Sequence, residues 1–423
     1  MGTDAAAGAS SHPGARRAEA EAAVARAHAS EWTFVLAAAA RVAGDLDAAE
    51  DCVQDAYAQA LVHWARDGVP ARPGAWLTTV ATRRALELHR RAATLARKLP
   101  LLVPDPVDEL PEAYEFPDER LRLVFTCCHP ALALEAQVAL TLRFVCGLST
   151  AEVARAFLVK EATMQARLTR AKKKIAETRI PYRVPDAAEL PERLAAVLEV
   201  VHLVYTSGHT AAAGAGLTRL DLAERGIALA RMLRALLPRD PDVAGLLALT
   251  LLTEARRAAR TDADGRLVLL EDQDRALWNH ELIAAGQQLV EQALRTPPAG
   301  RYTLMAAIAA LHDEAPSWTE TDWPQILALY DLLLRRWPST VVALNRAVAV
   351  SFVEGPAEAL ALVDGLAEDP SLATYPYLAA TRADLLRRLG ETDAAAAAYE
   401  EALLLTANEV EAQFLSARLA DLR

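Results

Sequence analysis

The chain has 423 residues, a formal net charge of −11, 53% hydrophobic residues and 5% aromatic residues. At roughly 100–200 residues per domain, that length holds about two to four domains. There is no uncharged apolar run of the ~18 residues a membrane helix needs, and this excludes a membrane span.

The charge is unevenly spread. Residues 1–180 carry 23 Lys/Arg and 22 Asp/Glu, while the remainder carries 22 and 34. Any surface for a polyanion therefore belongs to the first part, and the second part is an acidic body that DNA repels. The composition is rich in Ala and Leu and lacks period-2 strand patterns, which predicts an all-α protein. Four cysteines, Cys52, Cys127, Cys128 and Cys146, fit a reducing cytoplasm. Residues 1–25 have no apolar segment of the signal-peptide kind, and residues 1–20 are expected to be a disordered tail.

From about Arg17 to Trp64 the chain reads as two or three helices. In Asp45–Trp64, Ala49, Cys52, Val53, Ala56 and Ala60 line an apolar side, while Asp47, Glu50, Asp51, Gln54 and Asp55 load the first turns with acid, as a helix N-terminus favours. A Pro/Gly-rich loop spans Gly68–Gly74. In Ala75–Arg91, the residues Trp76, Leu77, Val80, Ala81 and Leu88 can pack, and Thr79, Thr82, Arg83, Arg90 and Arg91 can face a polyanion. Residues Ala92–Glu115 form an acidic linker in which Pro100, Pro104, Pro106 and Pro111 forbid a long helix.

The next helical block, Pro117–Ile180, ends in the stretch with the strongest pattern. Ser149 and Glu152 have capping-box spacing, and Val153, Ala154 and Phe157 make one apolar face. After a break near Val159–Lys160, Met164, Leu168, Ala171 and Ile175 form a buried stripe. Thr163, Arg167, Arg170 and Lys174 form a parallel stripe expected to point away from the core. Seven Lys/Arg against two Glu between Ser149 and Ile175 suit phosphate contact. Two short helices and a tight turn with this polarity describe a DNA-binding helix-turn-helix.

Taken in order, these pieces resemble a group IV (extracytoplasmic-function) sigma factor of bacterial RNA polymerase. DAAEDCVQDAYAQA at 47–60 resembles region 2.2, AWLTTVATRRALELHRR at 75–91 resembles regions 2.3–2.4, and GLSTAEVARAFLVKEATMQARLTRAKKKI at 147–175 resembles the region 4 helix-turn-helix. The resemblance implies region 2 over 21–92, the linker over 93–116 and region 4 over 117–180. It implies core RNA polymerase (β′ clamp helices and β flap) and promoter DNA as partners. By position, Asp51, Gln54 and Asp55 would contact polymerase. Trp76, Thr79, Arg83 and Arg90 would lie near the −10 element. Thr163, Gln165, Arg167, Arg170 and Lys174 would lie on the −35 element. Arg83 stands where the family often has Asn, Glu87 where it has Asp, and Gln165 where it has a basic residue, so promoter sequence is not carried over.

Residues 186–423 read as helical hairpins. In Tyr377–Glu409, Ala383, Gly390, Ala395, Tyr399 and Ala402 fall at offsets like those of a tetratricopeptide repeat. Val342–Leu366 places Asn345-Arg346-Ala347 and Gly355 where the last unit has Thr381-Arg382-Ala383 and Gly390. For 190–330 a worn repeat and a plain helical bundle fit equally. The extension resembles that of the sigma subgroup with a large tetratricopeptide-like C-terminal domain.

Cys127-Cys128-His129 lacks the ligand spacing of a zinc site and reads as core thiols, so no metal is expected. Ser207 and His209 in Tyr205–Gly214 have no partner acid placed by sequence, and this segment reads as a helix–helix turn or a contact between domains. The acids of 270–278 lack metal-loop spacing and read as a helix start or an inter-repeat contact. The expectation is a cytoplasmic, non-enzymatic promoter-specificity subunit without cofactor, whose C-terminal domain contacts the sigma domains in cis. The alternative is a one-component helix-turn-helix regulator with a tetratricopeptide-like sensing domain.

Overall fold

Alanine-rich amphipathic segments separated by Gly, Pro and Asp/Asn caps favour helix after helix. A computed structural model of the chain describes residues 13–98 and 119–423, with eighteen α-helices and two two-residue strands among them. They fall into two compact units divided at Val200/Val201. None of these helices is long and apolar enough to cross a membrane.

The first unit begins with α1 (Pro13–Ala43), α2 (Leu46–Asp67) and α3 (Pro73–Lys98), each packed on the other two. Residues 13–20, expected in a disordered tail, belong to α1. The alanines that make this stretch look featureless allow close approach, and Ala20, Ala23 and Ala27 are buried. Residues 1–12 and 99–118 lie outside the described residues, and these include most of the expected linker; its first residues, to Lys98, continue α3. Then come α4 (Glu119–Cys127), α5 (Leu134–Leu140), a π-helical turn Thr141–Val145, α6 (Thr150–Ala156), α7 (Glu161–Glu177) and α8 (Leu190–His209), which crosses into the second unit.

The π-turn joins the two helical groups of the first unit. Its last carbonyls have no partner within the helix, and side chains of α1 supply one. Trp32 Nε1 donates to the Phe144 carbonyl at 3.0 Å, and Thr33 Oγ1 donates to that of Val145 at 2.6 Å. Arg143, in the same turn, pairs with Glu50 of α2, and both side chains are nearly buried. Gly147 follows with φ +71°, and a Cβ there would come within 2.9 Å of Trp32 Cδ1, so glycine is required on two counts. Tyr182 OH donates to the Ala37 carbonyl at 3.0 Å, and Lys172 of α7 pairs with Asp47 at the start of α2.

The second unit continues through α9 (Leu220–Leu236), α10 (Pro241–Ala255), α11 (His280–Leu294), α12 (Arg301–Glu314), α13 (Trp323–Arg336), α14 (Thr340–Val353), α15 (Pro356–Leu366), α16 (Pro376–Leu389), α17 (Thr392–Leu405) and α18 (Glu409–Ala420), with consecutive helices packed on each other. The hairpins α14–α15 and α16–α17 share one design. Gly355 and Gly390 turn each with positive φ, and Ala347, Ala359, Ala383, Ala395, Tyr399 and Ala402 are buried between the helices. Arg346 Nε reaches Asp331 on α13 at 2.6 Å, and Arg382 Nε, at the equivalent place, reaches Asp364 on α15 at 2.7 Å. The ends of the unit are tied together. Strand β1 (Ala213–Gly214) pairs in parallel with β2 (Ala407–Asn408), and buried Asn408 donates to the carbonyls of Ala211 and Gly216, both at 2.9 Å, while capping α18.

Arg143→Ala leaves the Glu50 carboxylate buried without its partner. It is expected to destabilise the first unit by about 3–5 kcal/mol, read as a lower denaturant midpoint, with Glu50→Gln/Arg143→Met recovering most of the loss. Equal midpoints for Arg143→Ala and wild type would show that the pair does not hold the two helical groups together.

Burial, followed by arginine neighbours, pulls three histidines of the second unit below their ordinary 6.5: His202 to about 4, and His209 and His312 to about 3. The unfolded chain takes up these protons near 6.5 and the folded unit does not, so their contribution is complete above that pH and is lost as pH falls toward 4. Asp313 opposes this: burial raises it from 3.8 to about 7, so its contribution grows as pH falls through the same range. Burial also raises Asp242 and Glu254, by less than Asp313, and the three histidine shifts outweigh these carboxylate shifts between pH 6.5 and 5. The midpoint of the second unit's thermal transition should fall between pH 6.5 and 5, where ordinary carboxylates stay charged; a flat or rising midpoint there would contradict the assignment.

Candidate nucleic-acid and protein interfaces

The helix-turn-helix forms as its caps dictate. The Glu152 amide donates to Ser149 Oγ at 3.2 Å, and the Ser149 amide donates to Glu152 Oε2 at 2.7 Å, closing the capping box that starts α6. The turn passes through Leu158, whose φ of +53° is uncommon for a residue with a Cβ. Met164, Leu168 and Ala171 of α7 are buried against Val153 and Ala154 of α6 and their surroundings, as the spacing requires.

Thr163, Gln165, Arg170 and Lys174 are exposed on α7. Arg167 is not: its side chain is 24% exposed, its Nη2 lies 3.2 Å from Glu135 Oε2, and its guanidinium sits 5.3 Å over the Phe157 ring. This corrects the expected uniform outward stripe. At about 100° per residue, that stripe borders the buried one, and Arg167 is its member nearest the core edge, where α5 and the end of α6 offer an acid and a ring. Gln165 lies about 200° around from Thr163, on the opposite border. The outward line between the borders holds Ala166 and Lys173, both exposed. Lys173, paired with Glu177 at 3.5 Å, was passed over in sequence, although its i+3 spacing from Arg170 was a signal. Its neighbour Lys172 turns inward to Asp47 and lies 5.9 Å over Phe144, so it serves the fold.

On α3, Trp76, Thr79, Arg83 and Arg90 share one face by the same angular count. Trp76 is half-buried edge-on to Trp64, with centroids 5.6 Å apart, and lies 6.1 Å from His63. Thr79 is exposed and its hydroxyl donates to the Ala75 carbonyl at 2.8 Å. Arg83 is 82% exposed, with Glu87 at 3.8 Å, and Arg90 is exposed. Leu86, 44% exposed between the two arginines, was missed: an apolar group on a basic face suits contact with a base or sugar.

On α2, Asp51, Gln54 and Asp55 are all exposed, while Ala49, Cys52, Val53 and Ala56 are buried. Gln54 Nε2 donates to Glu50 Oε1 at 3.3 Å, and Asp55 accepts from Arg84 Nε at 3.2 Å, so two of the three are oriented by neighbours. About two turns further on, Leu61 and Val62 are exposed, and Val62 is the more so at 67%. An acidic end running into exposed aliphatic groups repels DNA and suits a protein partner. The signal for Leu61 and Val62 was their place off the Ala49/Val53/Ala56/Ala60 stripe.

The remaining candidates are structural. Cys127 and Cys128 lie in the core, where burial pushes both thiols up, Cys128 to about 12, and Cys128 contacts Thr141 Oγ1 at 3.4 Å. The His129 Nδ1 accepts from the Ala131 amide at 3.1 Å, closing a turn. Ser207 is exposed, and the His209 ring stacks on Tyr205 with centroids 5.6 Å apart. Held neutral down to about pH 3 by burial first and then by Arg260 and Arg256, His209 is no general base near neutrality. Gly208 packs on the start of α9, where a Cβ would meet the Ala223 amide nitrogen, consistent with a helix–helix turn. The acids of 270–278 form two 3₁₀ turns, one capped by Asp274.

Comparison with known proteins gives three family matches: sigma-70 region 2 over residues 31–94, sigma-70 region 4 over residues 122–175, and a family of unknown function (DUF6596) over residues 193–294. The chain is similar to an uncharacterized protein of Rhizobium meliloti (strain 1021), 42% identical over 382 residues that span 89% of this chain and 90% of that protein. No solved structure matches.

Proposed function

Because the chain belongs to the sigma-70 family, we propose that it is an extracytoplasmic-function sigma factor of the subgroup with a tetratricopeptide-like C-terminal domain, acting in the cytoplasm and catalysing nothing itself. It recruits core RNA polymerase through α2, reads the −10 element with α3 and the −35 element with α7. The observation that carries this reading is the exposed Asp51/Gln54/Asp55 face continuing into Leu61 and Val62. A regulator that only binds DNA has no use for it. On α7 the exposed Thr163, Arg170, Lys173 and Lys174 meet DNA first, and Arg167 joins them by leaving Glu135 for a phosphate or a guanine edge.

The C-terminal domain acts on the sigma domains in cis. The repeated hairpins with their Arg346–Asp331 and Arg382–Asp364 pairs support the tetratricopeptide-like assignment, and a tethered partner is present at high effective concentration.

Replacing Asp51, Gln54 and Asp55 together with Ala should abolish run-off transcription and capture of core polymerase while helix content stays unchanged; normal polymerase capture would favour the one-component regulator. Arg170→Ala and Lys174→Ala should each weaken promoter binding on every sequence and lower the slope of log K against log salt by about one. A change confined to one base position would mark base readout instead. Fragment 1–185 should be much less active in transcription than the full chain, in part because the cut removes Arg193, whose Nη2 donates to the Phe125 carbonyl at 2.6 Å. Equal activity of 1–185, the full chain and mixed fragments 1–185 and 186–423, without binding between the fragments, would assign the C-terminal domain to an outside partner.

A further inference from the structure

Residues 256–279 join α10 to α11 as a strap with nothing longer than single 3₁₀ turns. That is well beyond the ~12–15 residues above which a connection without its own secondary structure is uncommon and usually functional. Both ends of the strap are fastened. Arg260 donates to the Thr210 hydroxyl at 3.2 Å, Arg275 donates to the His312 carbonyl at 2.9 Å, and the Asn279 amide donates to the Ala255 carbonyl at 2.9 Å. Between these points the strap bonds to itself: the Val268 amide donates to the Arg260 carbonyl and the Asp272 amide to the Leu269 carbonyl, both at 2.9 Å.

The middle of the strap lies across a face made by α14, α16 and α18. A cavity of about 370 Å³ separates them, lined by half-buried Leu267, Leu269 and Leu270 on the strap and by Phe352, Ala380 and Phe414 on the helices. Among the described residues, the hydrogen bonds and ion pairs of 266–272 all stay within the strap. Its middle therefore meets the three helices through apolar side chains alone. The charged groups of the cavity nearly balance, Arg388 and Arg418 against Glu271, Asp384 and Glu411, so apolar fit and not charge decides what this face takes.

A segment tied at its ends and held in the middle by a few apolar contacts opens more easily than the helices around it. The cavity beneath shows that the strap covers the face without filling it, so a segment that fits better can take its place. The strap itself displays the chemistry that the face accepts: adjacent aliphatic side chains on a chain that is not helical. We propose that Leu267–Leu270 is a built-in occupant, holding the place of a non-helical segment of a partner protein with adjacent aliphatic side chains, and that the middle of the strap lifts to admit it. The test needs neither promoter nor polymerase, so its outcome is separate from that of the sigma-factor reading.

The probe is a fluorescein-labelled peptide with the sequence of residues 260–279, titrated with full-length protein and read by fluorescence anisotropy. The tethered strap competes at about millimolar effective concentration, so wild type should bind the peptide only weakly. Full-length Leu269→Ser/Leu270→Ser, with its own strap loosened and its thermal transition retained, should bind it at least about tenfold tighter. A peptide carrying the same two changes should lose that gain. Adding Ala380→Trp to the loosened protein, which fills the face from α16, should remove it as well. Equal binding by wild type and the loosened protein, no binding by either, undiminished binding of the Ser-substituted peptide, or a gain that survives Ala380→Trp would each overturn the proposal. If Leu269→Ser/Leu270→Ser does not keep its thermal transition, Leu269→Ala/Leu270→Ala is judged by the same outcomes.

Discussion

The first unit depends on one buried ion pair and the turn that delivers it. Arg143 reaches Glu50 only because the helix after α5 widens into a π-turn, and the same turn aims the carbonyls of Phe144 and Val145 at Trp32 and Thr33. A buried ion pair is not a large net source of stability, but either charge alone would be costly. The pair therefore specifies how the α1–α3 group meets the α4–α7 group. Gly147 completes the match by letting the chain pass against the face of Trp32.

This arrangement divides the basic residues into two sets. Arg143, Arg167 and Lys172 bind acids within the unit, at Glu50, Glu135 and Asp47. Arg83, Arg170, Lys173 and Lys174 remain on the surface. Asp47 stands one turn before Asp51, so the acidic end of α2 is shared between a contact with α7 and the face proposed to meet polymerase. A partner that takes up α2 therefore acts on the same helix end that α7 holds.

The second unit uses a different device. Each of its last two hairpins sends one arginine back to an aspartate of the preceding helix, and each turns on a glycine in the left-handed region. A stack built this way propagates from neighbour to neighbour, and Asn408 then ties the last helix to the loop after α8. Between these helices lies an aromatic cavity whose lining holds Arg388 and Arg418 together with Glu271, Asp384 and Glu411.

Much of this was legible in residue order, because local rules act over one or two turns. The capping box at Ser149, the break before Glu161, the buried Met164/Leu168/Ala171 stripe and the exposure of Asp51, Gln54 and Asp55 depend on periodicity and caps. The paired glycines and small residues of the last two hairpins were readable for the same reason. The fate of individual charges was not readable. Arg167 and Lys174 look alike on a helical wheel, and only the placement of Glu135 and Phe157 turns Arg167 inward. The Arg143–Glu50 pair and the Asn408 tie join residues distant in sequence. Local sequence determined which faces each helix would have; tertiary packing decided which charges face solvent, because a long flexible side chain follows whichever partner the fold places within its reach.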